Sequence, residues 1–458
     1  MDEHIDSNRG RVSKRVSREK TFDFLIEKTP KLKGTIKAPP SKSYTHRAIV
    51  IASMNNVNRI VNPLDSADTK ATLKVWELLG AKIHRYKDHL DIIGFGGKPQ
   101  QQSKELDVGE SGTLLRFLLS ILPYGTGTYK VIGNGTLCNR PNRTIIEALK
   151  SVDVDIQGVD IDHRLPITLK AAGSQKGGEI KVNGAITSQV VSSLLIGAPL
   201  AESDTTIYIT DTLVSKPYVD ITIDVLKWAG IEVENKDYKT FKIKSEQRFS
   251  PQSEFVIHGD YSSASFIIAA ACLIKSDVTI TDLVVDKQGD RKIIDFLNAM
   301  GASIQHTNDE VRIKGPYNLR GIDIDCADTP DLVPILAVVG CFADGKTRIK
   351  NISHVVYKES NRPISIMSEL QRLGAQIDFI NNNELIIQNS TLSSRNVSSV
   401  SSYDDHRVAM ALSIAGLKIG RLTVNGAHCV KKSYPTFFND MKSIGAKIKK
   451  TPLRRQKK

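Results

Sequence analysis

Hydrophobic and polar positions along this chain repeat one pattern six times. In each copy an amphipathic helix ends in Leu-Gly or a similar pair, and a short apolar strand follows it. The junctions between helix and strand recur at intervals of 71–77 residues, at Gly80, Asp153, Gly230, Gly301, Gly374 and Gly445. Glycine ends a helix by taking the left-handed conformation, which aspartate tolerates next best. The regular spacing therefore predicts six copies of one supersecondary unit.

A second helix is predicted in each unit, and it is apolar on nearly all sides. These helices begin at openings rich in glycine, proline or serine: SKSYTHR, GESGTLLR, ITSQVVSS, GDYSSASF, TPDLVPIL and YDDHRVAM. Helices that are apolar all round are buried. We therefore expect an α/β protein with six buried helices surrounded by sheets, three units in each of two lobes. The N-termini of the buried helices would then face one cleft.

The composition of the 458-residue chain, 40% hydrophobic and 25% charged, is typical of a globular protein with two or three domains. Its net charge of +13 is concentrated at the ends. Positions 442–458 carry eight basic and no acidic residues, and positions 1–20 carry six basic and four acidic residues. We expect a disordered basic tail at 1–21 and another basic tail at 449–458. The remainder is nearly balanced, which gives little support for a nucleic-acid partner.

The cysteines indicate a reducing compartment. Five of them are widely spaced and form no CxxC pair, and an odd number at such spacing disfavours a disulfide framework or a zinc site. The longest apolar run, 12 residues from Leu332 to Ala343, is too short to span a bilayer. No signal or transit peptide is recognisable at the N-terminus. We therefore expect a cytoplasmic protein with no membrane partner.

The segment APPSKSYTHR at positions 38–47 joins a proline-rich loop to the start of a helix. Ser41 or Ser43 can cap that helix, which places Lys42, His46 and Arg47 at or near its first turn. Cations there oppose the helix dipole, but a bound anion is stabilised by the free N–H groups and by the same charges. The segment predicts a phosphate or carboxylate site, with an ordinary capped helix as the alternative.

Comparable candidates lie at the other helix openings. Gly112 allows a ligand to approach the backbone closely, and hydroxyl, amide or cationic side chains recur at the helix starts. The second half adds carboxylates, since Asp331 precedes a buried helix and Glu359 lies between Lys358 and Arg362. Further candidates are Arg116, Arg140, Thr187, Ser188, Gln189, Ser215, Tyr218, Arg407 and Lys432. Capping or solvation explains each alone, but their equivalent places in a repeat favour binding.

Ten motifs between about residue 25 and residue 448 resemble, in order and rough spacing, the 5-enolpyruvylshikimate-3-phosphate synthases. They are SKSYTHR, GESGTLLR, NRPNRTIIEALK, TSQVVSSLL, SKPYVDIT, GDYSSASF, TPDLVP, YKESNRP, YDDHRVAM and KKSYP. The resemblance implies an enolpyruvyl transferase fold whose chain starts in the second lobe, crosses to the first and returns. We therefore expect the first lobe at 41–257 and the second lobe at 22–40 plus 258–448.

This family transfers the enolpyruvyl group of phosphoenolpyruvate to the 5-hydroxyl of shikimate 3-phosphate, a step of aromatic amino acid biosynthesis that releases phosphate. The resemblance implies the same reaction here, with neither cofactor nor metal. We separately expect a monomer. Asp331, Glu359, Lys42 and Lys432 would carry the proton transfers. Shikimate 3-phosphate would contact Lys42, Ser43, Arg47, Thr187, Ser188, Gln189, Ser215, Tyr218, Asp331, His354 and Lys358. Phosphoenolpyruvate would contact Lys42, Gly112, Arg116, Arg140, Gln189, Arg362, Arg407 and Lys432.

Three positions depart from the family pattern: Glu110 and Ser111 stand where Asn-Ala is common, and His354 where asparagine is common. Two alternatives stay open. The UDP-N-acetylglucosamine enolpyruvyl transferases place a loop cysteine five residues before an Arg-Pro pair, whereas Cys138 lies two residues before Arg140. A non-catalytic RNA-binding protein on the same fold is suggested by the basic ends, although neither end mixes aromatic with basic residues.

Overall fold

A computed structural model describes residues 22–55, 58–101, 103–251 and 254–452. Its first elements are β1 (Phe22–Ile26), β2 (Leu32–Lys37), α1 (Lys42–Ala52), β3 (Asn58–Val61), α2 (Ala67–Leu78), β4 (Lys82–Arg85) and β5 (His89–Ile93). Next come β6 (Leu106–Asp107), α3 (Gly112–Ile121), β7 (Thr126–Ile132), α4 (Arg143–Lys150), β8 (Asp155–Val159) and β9 (Arg164–Ala172). They are followed by β10 (Gly178–Val182), α5 (Ser188–Gly197), β11 (Thr205–Ile209), α6 (Lys216–Trp228), β12 (Glu234–Lys236) and β13 (Thr240–Ile243).

The second half of the chain repeats this order of elements. It contains β14 (Phe255–Val256), α7 (Tyr261–Leu273), β15 (Ser276–Thr281), α8 (Lys292–Ala299), β16 (Gln305–His306) and β17 (Glu310–Ile313). Next are β18 (Asp323–Asp325), α9 (Val333–Phe342), β19 (Lys346–Lys350), α10 (Arg362–Arg372), β20 (Ile377–Ile380) and β21 (Glu384–Gln388). The last are β22 (Ser399–Ser401), α11 (His406–Ile419), β23 (Leu422–Asn425), α12 (Phe437–Ser443) and β24 (Ile448–Pro452).

The strands confirm the six-fold repeat. Within the described ranges they form six four-stranded sheets, each with one parallel and two antiparallel pairings. Three sheets use consecutive strands, in the orders β6-β7-β9-β8, β10-β11-β13-β12 and β18-β19-β21-β20. The other three, β14-β3-β5-β4, β16-β17-β15-β2 and β22-β23-β1-β24, each take one strand from a distant part of the chain. These exchanged strands tie the start of the chain to its second half.

The helix ends confirm the conformational reason for the repeat. All six residues at the junctions between helix and strand have positive φ, between 64° at Asp153 and 110° at Gly80. In this left-handed region a side chain with a Cβ atom is disfavoured, so glycine ends five of these helices. The glycines that recur at these helix ends are therefore explained by the positive φ that the backbone adopts there.

The second helix of each unit is buried, as predicted. All thirteen residues of α7 are buried, and α9 and α11 pack against it. Buried hydrophobic residues form two clusters, one from Tyr44 to Ile257 and one combining residues 26–38 with residues 261–448. The boundaries of the two lobes, 41–257 and 22–40 plus 258–448, stay a proposal. No helix in the described part of the chain has the length and apolar character needed to cross a membrane.

The ends of the chain differ in part from the prediction. The predicted tail at 1–21 and residues 453–458 of the predicted C-terminal tail lie outside the described residues. Residues 449–452, however, belong to β24, which pairs antiparallel with β1 from Phe22↔Pro452 to Ile26↔Ile448. Placing the start of the tail at residue 449 was therefore wrong, because the backbone pairing with β1 continues through the polar residues after Ile448.

Candidate active site

Two segments of the chain pass side by side where it crosses from one hydrophobic cluster to the other. The backbone N–H of Ser41 donates to the carbonyl of His258 at 2.8 Å. The Asp260 carboxylate then accepts from two helix starts, from the N–H of Lys42 (3.0 Å) and from that of Ser263 (2.8 Å). One residue thus fixes the N-terminus of α1 beside the N-terminus of α7.

A polar cleft opens where these helix N-termini meet. It is lined by Lys42, Ser43, Arg47, Asp68, Gly112, Thr113, Arg140, Thr187, Ser188, Gln189, Tyr218, Asp331, Lys358, Glu359, Arg362 and His406. All but three of these residues were predicted from the sequence. The wall therefore combines side chains from both halves of the chain. Lys42 and Arg362, for example, lie more than 300 positions apart in the sequence.

The guanidinium of Arg362 organises the second-lobe side of the cleft. Its Nη1 lies 2.5 Å from Asp331 Oδ1, its Nη2 2.6 Å from Glu359 Oε2, and its Nε 2.8 Å from Asp405 Oδ2. Burial opposes the charge of Arg362, but the three carboxylates outweigh burial and raise its pKa. Arg362 is therefore a permanent cation that fixes the orientation of both candidate proton-transfer carboxylates.

The Asp331 carboxylate is surrounded by further donors. Arg407 Nη2 and the Tyr218 hydroxyl each lie 3.2 Å from its Oδ2. Burial favours the neutral carboxyl, but Arg407 and Arg362 outweigh burial and lower the pKa of Asp331. Burial likewise opposes ionisation of Glu359, and Arg362 and Arg140 lower its pKa. Both carboxylates are therefore ionised.

Several buried N–H groups beside these carboxylates have no hydrogen-bond partner within the described residues. They include Nε and Nη1 of Arg407 and Nε of Arg140. Arg140 lies near Glu359 as well, with Nη1 4.0 Å from Oε1. A buried donor without a partner is unfavourable, so these guanidinium groups are suited to bind an anion that enters the site.

The start of α1 supplies cations from the first lobe. Ser41 caps the helix, as predicted, and Lys42 Nζ lies 3.1 Å from Asp68 Oδ2. Arg47 is buried and donates to Thr222 Oγ1 (2.7 Å) and to the carbonyls of Ser43 (2.9 Å) and Tyr218 (2.9 Å). Arg47 thus connects α1 to α6 and holds Ser43 and Tyr218 at the cleft.

Gly112 lies at the start of α3, against two guanidinium groups. A Cβ atom built on Gly112 would lie 2.5 Å from Arg116 Nη1 and 2.9 Å from Arg140 Nη1. Arg116 donates to the carbonyls of Gly112 (3.2 Å) and Pro141 (3.3 Å), and burial, with the charge of Arg140, lowers its pKa to about 9. The absent side chain at Gly112 therefore leaves room for both arginines.

The start of α5 contributes hydroxyl and amide groups. Thr187 caps the helix, its Oγ1 accepting from the N–H of Gln189 at 3.2 Å. The Gln189 side chain donates to Thr113 Oγ1 at 3.2 Å, which fixes its amide against α3. Ser188 completes this part of the wall. The arrangement presents neutral hydrogen-bonding groups opposite the charged second-lobe side.

Comparison with known proteins identifies the family to which this cleft belongs. The profile of the family described as EPSP synthase (3-phosphoshikimate 1-carboxyvinyltransferase) matches residues 26–441. The chain belongs to the EPSP synthase family. This membership confirms the resemblance inferred from the ten motifs. It favours neither the UDP-N-acetylglucosamine transferases nor a non-catalytic RNA-binding protein.

Curated relatives in the EPSP synthase family cover nearly the whole chain. The 3-phosphoshikimate 1-carboxyvinyltransferase of Methanocaldococcus jannaschii is 41% identical over 429 residues, which are 93% of this chain and 99% of the relative. The enzyme of the same name from Methanosarcina mazei is 40% identical over 426 residues, 92% of this chain and 97% of the relative.

Solved structures share the fold at lower identity. EPSP synthase from Acinetobacter baumannii matches with a TM-score of 0.77 at 23% identity, over 94% of this chain and 100% of that chain. The enolpyruvyl transferase NikO from Streptomyces tendae matches with a TM-score of 0.76 at 19% identity, over 95% and 100%. These similarities confirm the predicted two-lobed enolpyruvyl transferase fold.

Five residues predicted from the EPSP synthase resemblance do not line the cleft: Arg116, Ser215, His354, Arg407 and Lys432. Arg116 and His354 line a small adjoining cavity together with Lys358. Ser215 has a left-handed backbone, φ 57°, and its N–H donates to the carbonyl of Ala327 at 2.9 Å. Ser215 therefore lies at a contact between the two predicted lobes.

His354 and Lys358 are affected by burial in different ways. Neither ring nitrogen of His354 has a hydrogen-bond partner among the residues that the structure describes. Burial, with the nearby charge of Lys358, lowers the pKa of His354 to about 3, so the ring is neutral. Burial also lowers the pKa of Lys358 to about 8, although Asp331 opposes this change. Lys358 is thus a cation that titrates near physiological pH.

Sequence reasoning missed three cleft residues, Asp68, Thr113 and His406. Asp68 belongs to a segment, NPLDSAD, whose turn-like composition gives no sign of a ligand. Thr113 and His406 directly follow or precede predicted residues, Gly112 and Arg407. Their places within those motifs were a usable signal, whereas the approach of Asp68 to Lys42 depends on how α1 and α2 pack.

Proposed function

We propose that this chain transfers the enolpyruvyl group of phosphoenolpyruvate to the 5-hydroxyl of shikimate 3-phosphate and releases phosphate. The curated relatives that cover the chain carry the name of this activity. The observation that carries the proposal is the cleft, in which Arg362 holds Asp331 and Glu359 ionised among cations from both lobes. That arrangement combines anion binding with groups suited to proton transfer.

Charge balance supports this pair of substrates. Together they bring about five negative charges into one cleft, which demands clustered lysine and arginine side chains. The cleft wall supplies Lys42, Arg47, Arg140, Lys358 and Arg362. The partnerless N–H groups of Arg140 and Arg407 are further donors that anionic oxygens can satisfy.

The two substrates are assigned to different groups of residues. We propose that shikimate 3-phosphate binds Lys42, Ser43, Arg47, Thr187, Ser188, Gln189, Ser215, Tyr218, Asp331, His354 and Lys358. We propose that phosphoenolpyruvate binds Lys42, Gly112, Arg116, Arg140, Gln189, Arg362, Arg407 and Lys432. Arg116, Ser215, His354, Arg407 and Lys432 lie off the present wall, so small movements of the lobes would complete their contacts.

The chemistry requires proton transfer at two substrate atoms. The 5-hydroxyl oxygen bonds to C2 of phosphoenolpyruvate and loses its proton, while C3 gains a proton and becomes a methyl group. Breaking the C2–phosphate bond and removing a proton from C3 then restore the alkene. We assign Asp331 to accept the hydroxyl proton. Glu359 takes up a proton from solvent when bound substrate raises its pKa, donates it to C3, and accepts a proton back from C3 as the alkene is restored, with Lys42 and Lys432 assisting.

Substrate charge would change the basicity of both carboxylates. In the free protein, Arg407, Arg362 and Arg140 lower the pKa values of Asp331 and Glu359. When substrate phosphate and carboxylate groups bind these arginines, the arginine charges are partly neutralised and the pKa of each carboxyl rises. Both groups therefore become better proton carriers once both substrates are present.

Phosphate release from phosphoenolpyruvate tests the proposal, with shikimate 3-phosphate and UDP-N-acetylglucosamine as parallel acceptors. Release that depends on shikimate 3-phosphate alone is the expected result. Release with the sugar nucleotide, or with neither acceptor, would contradict the proposal. We further propose a cytoplasmic monomer, which size-exclusion chromatography with light scattering and localisation of the tagged full chain would test.

A further inference from the structure

A third carboxylate, that of Asp290, lies behind the cleft wall and has no role in the reaction described above. The Tyr218 hydroxyl joins it to Asp331, with Oη 3.2 Å from Oδ2 of each carboxylate. Asp290 is 4% exposed, and the Ser262 hydroxyl donates to its Oδ2 as well. Side chains from α6, α7 and the turns before α8 and α9 therefore meet at one buried point.

Tyr218 has too few hydroxyl protons to donate to both carboxylates. A tyrosine hydroxyl carries one proton, so Tyr218 can donate to one of the two carboxylates but not to both. Asp331 is held ionised by Arg362 and Arg407. If Asp290 were ionised too, one carboxylate oxygen would face the Tyr218 oxygen without a hydrogen between them. A proton on Asp290 removes this conflict, because Asp290 then donates to Tyr218 and Tyr218 donates to Asp331.

The surroundings of Asp290 favour the protonated form. Its Oδ1 is buried without a hydrogen-bond partner in the described part of the chain, which a neutral acid tolerates better than a carboxylate. Burial and the charge of Asp331 raise the pKa of Asp290, whereas Ser262 and Arg407 oppose this rise. The groups that act on Asp290 are Tyr218 on α6, Asp260 and Ser262 at the start of α7, Cys326 and Asp331 before α9, and Arg407 on α11.

We propose that Asp290 is a positioning residue: it carries a proton and, through the Tyr218 hydroxyl, fixes the Asp331 carboxylate in the orientation needed for proton transfer. This inference rests on the proposed function of the cleft. In this arrangement Asp290 donates a hydrogen bond to Tyr218, and Tyr218 donates a hydrogen bond to Asp331. Loss of the Asp290 proton would leave Tyr218 between two anions and weaken its hold on Asp331.

Two substitutions of Asp290 show whether the site requires a hydrogen-bond donor at this position or specifically a carboxyl group. Asp290→Asn keeps the size and donates to Tyr218 through its amide, so kcat should stay within about threefold of wild type. Asp290→Ala removes the donor, so kcat should fall about tenfold while KM for both substrates changes little. Equal losses in both variants, with both proteins folded by thermal unfolding and circular dichroism, would overturn the proposal.

The pH profile gives a second test. The wild-type kcat should fall on the alkaline side as Asp290 loses its proton, and this decline should be absent in Asp290→Asn. Titration of Lys358 would instead change KM for shikimate 3-phosphate, so the two effects are distinguishable. An alkaline decline of kcat that persists unchanged in Asp290→Asn would refute the assignment.

Infrared difference spectroscopy tests the proton independently of activity. The full-length protein should show the carbonyl stretch of a protonated carboxylic acid near neutral pH, which disappears as the pH rises. Asp290→Asn should lack this band at every pH, whereas in Asp331→Asn the band should disappear at a lower pH than in wild type, because the charge that raises the pKa of Asp290 is gone. A band that persists in Asp290→Asn would overturn the inference. If the band behaves as expected but the wild-type protein releases no phosphate, the proton assignment stands and the proposed function fails.

Discussion

Lys432 and Glu110 form an ion pair that joins the two predicted lobes, although 322 positions separate them in the sequence. Lys432 Nζ lies 2.9 Å from Glu110 Oε2, and it also contacts the carbonyl (2.8 Å) and the carboxylate (3.1 Å) of Asp404. Burial opposes the lysine charge, but Glu110 and Asp404 outweigh burial and raise the pKa of Lys432. If Lys432 binds phosphoenolpyruvate as proposed, the substrate anion competes with Glu110 for this cation.

Glu110→Gln should strengthen binding of phosphoenolpyruvate. The amide oxygen still accepts from Lys432, but the competing negative charge is gone, so KM for phosphoenolpyruvate should fall about fivefold. Steady-state kinetics at saturating shikimate 3-phosphate would measure this. Glu105→Gln, which removes the same charge from an exposed pair with Lys130, is the matched control and should change nothing. An unchanged or higher KM in Glu110→Gln would contradict the competition.

Gly112→Ala should weaken phosphoenolpyruvate and its mimic glyphosate more than shikimate 3-phosphate. The added methyl group meets Arg116 and Arg140 at distances that force at least one guanidinium to move. We expect KM for phosphoenolpyruvate to rise about tenfold or more. Calorimetric titration with shikimate 3-phosphate alone provides the internal control. If all three ligands weaken equally, the placement of phosphoenolpyruvate beside Gly112 is wrong.

Asp331→Asn and Glu359→Gln should each lower kcat by about 100-fold or more, because each removes a proton carrier. Binding of shikimate 3-phosphate should survive, which calorimetry would measure. Asp405→Asn is the matched control, since Asp405 contacts the same guanidinium of Arg362 but lies off the cleft wall. A loss of turnover in Asp405→Asn as large as in the other two would mean that charge on Arg362, not proton transfer, is what matters.

Affinity for shikimate 3-phosphate should decline as the pH rises through about 8, because Lys358 loses its proton there. Lys358→Arg should keep its affinity over the same range, and Lys346→Arg, at an exposed position on β19, should behave as wild type.

The lowered pKa of Lys358 also makes the stability of the fold depend on pH. Between about pH 8 and pH 10.5, the ordinary pKa of lysine, the unfolded chain binds the Lys358 proton more tightly than the folded chain does. The contribution of Lys358 to the free energy of unfolding therefore rises with pH across that window. Calorimetric unfolding of wild type and Lys358→Arg would measure the difference, and an opposite slope would contradict the assigned pKa.

The repeat, the buried helices and the helix ends could all be predicted from the sequence. Each depends on local properties: a 3.6-residue apolar period, a Gly80-like residue that accepts positive φ, and polar residues such as Ser41 that cap a helix. The exchange of β1 and β2 into sheets of the second half was predicted only through the family resemblance. No local sequence pattern predicts such pairing, because the apolar pattern of a strand does not specify which distant strand it pairs with.

The identities of most cleft residues also followed from the sequence, since their motifs recur at helix openings. Tertiary structure decided which charges meet. The contact of Arg362 with Asp405, the contact of Glu110 with Lys432 and the bridge from Asp290 through Tyr218 to Asp331 join residues on different units. Their pKa values depend on burial and on distances of a few ångströms. Those quantities exist only once six units pack around a common cleft, so the sequence determined the groups available and the packing determined their chemistry.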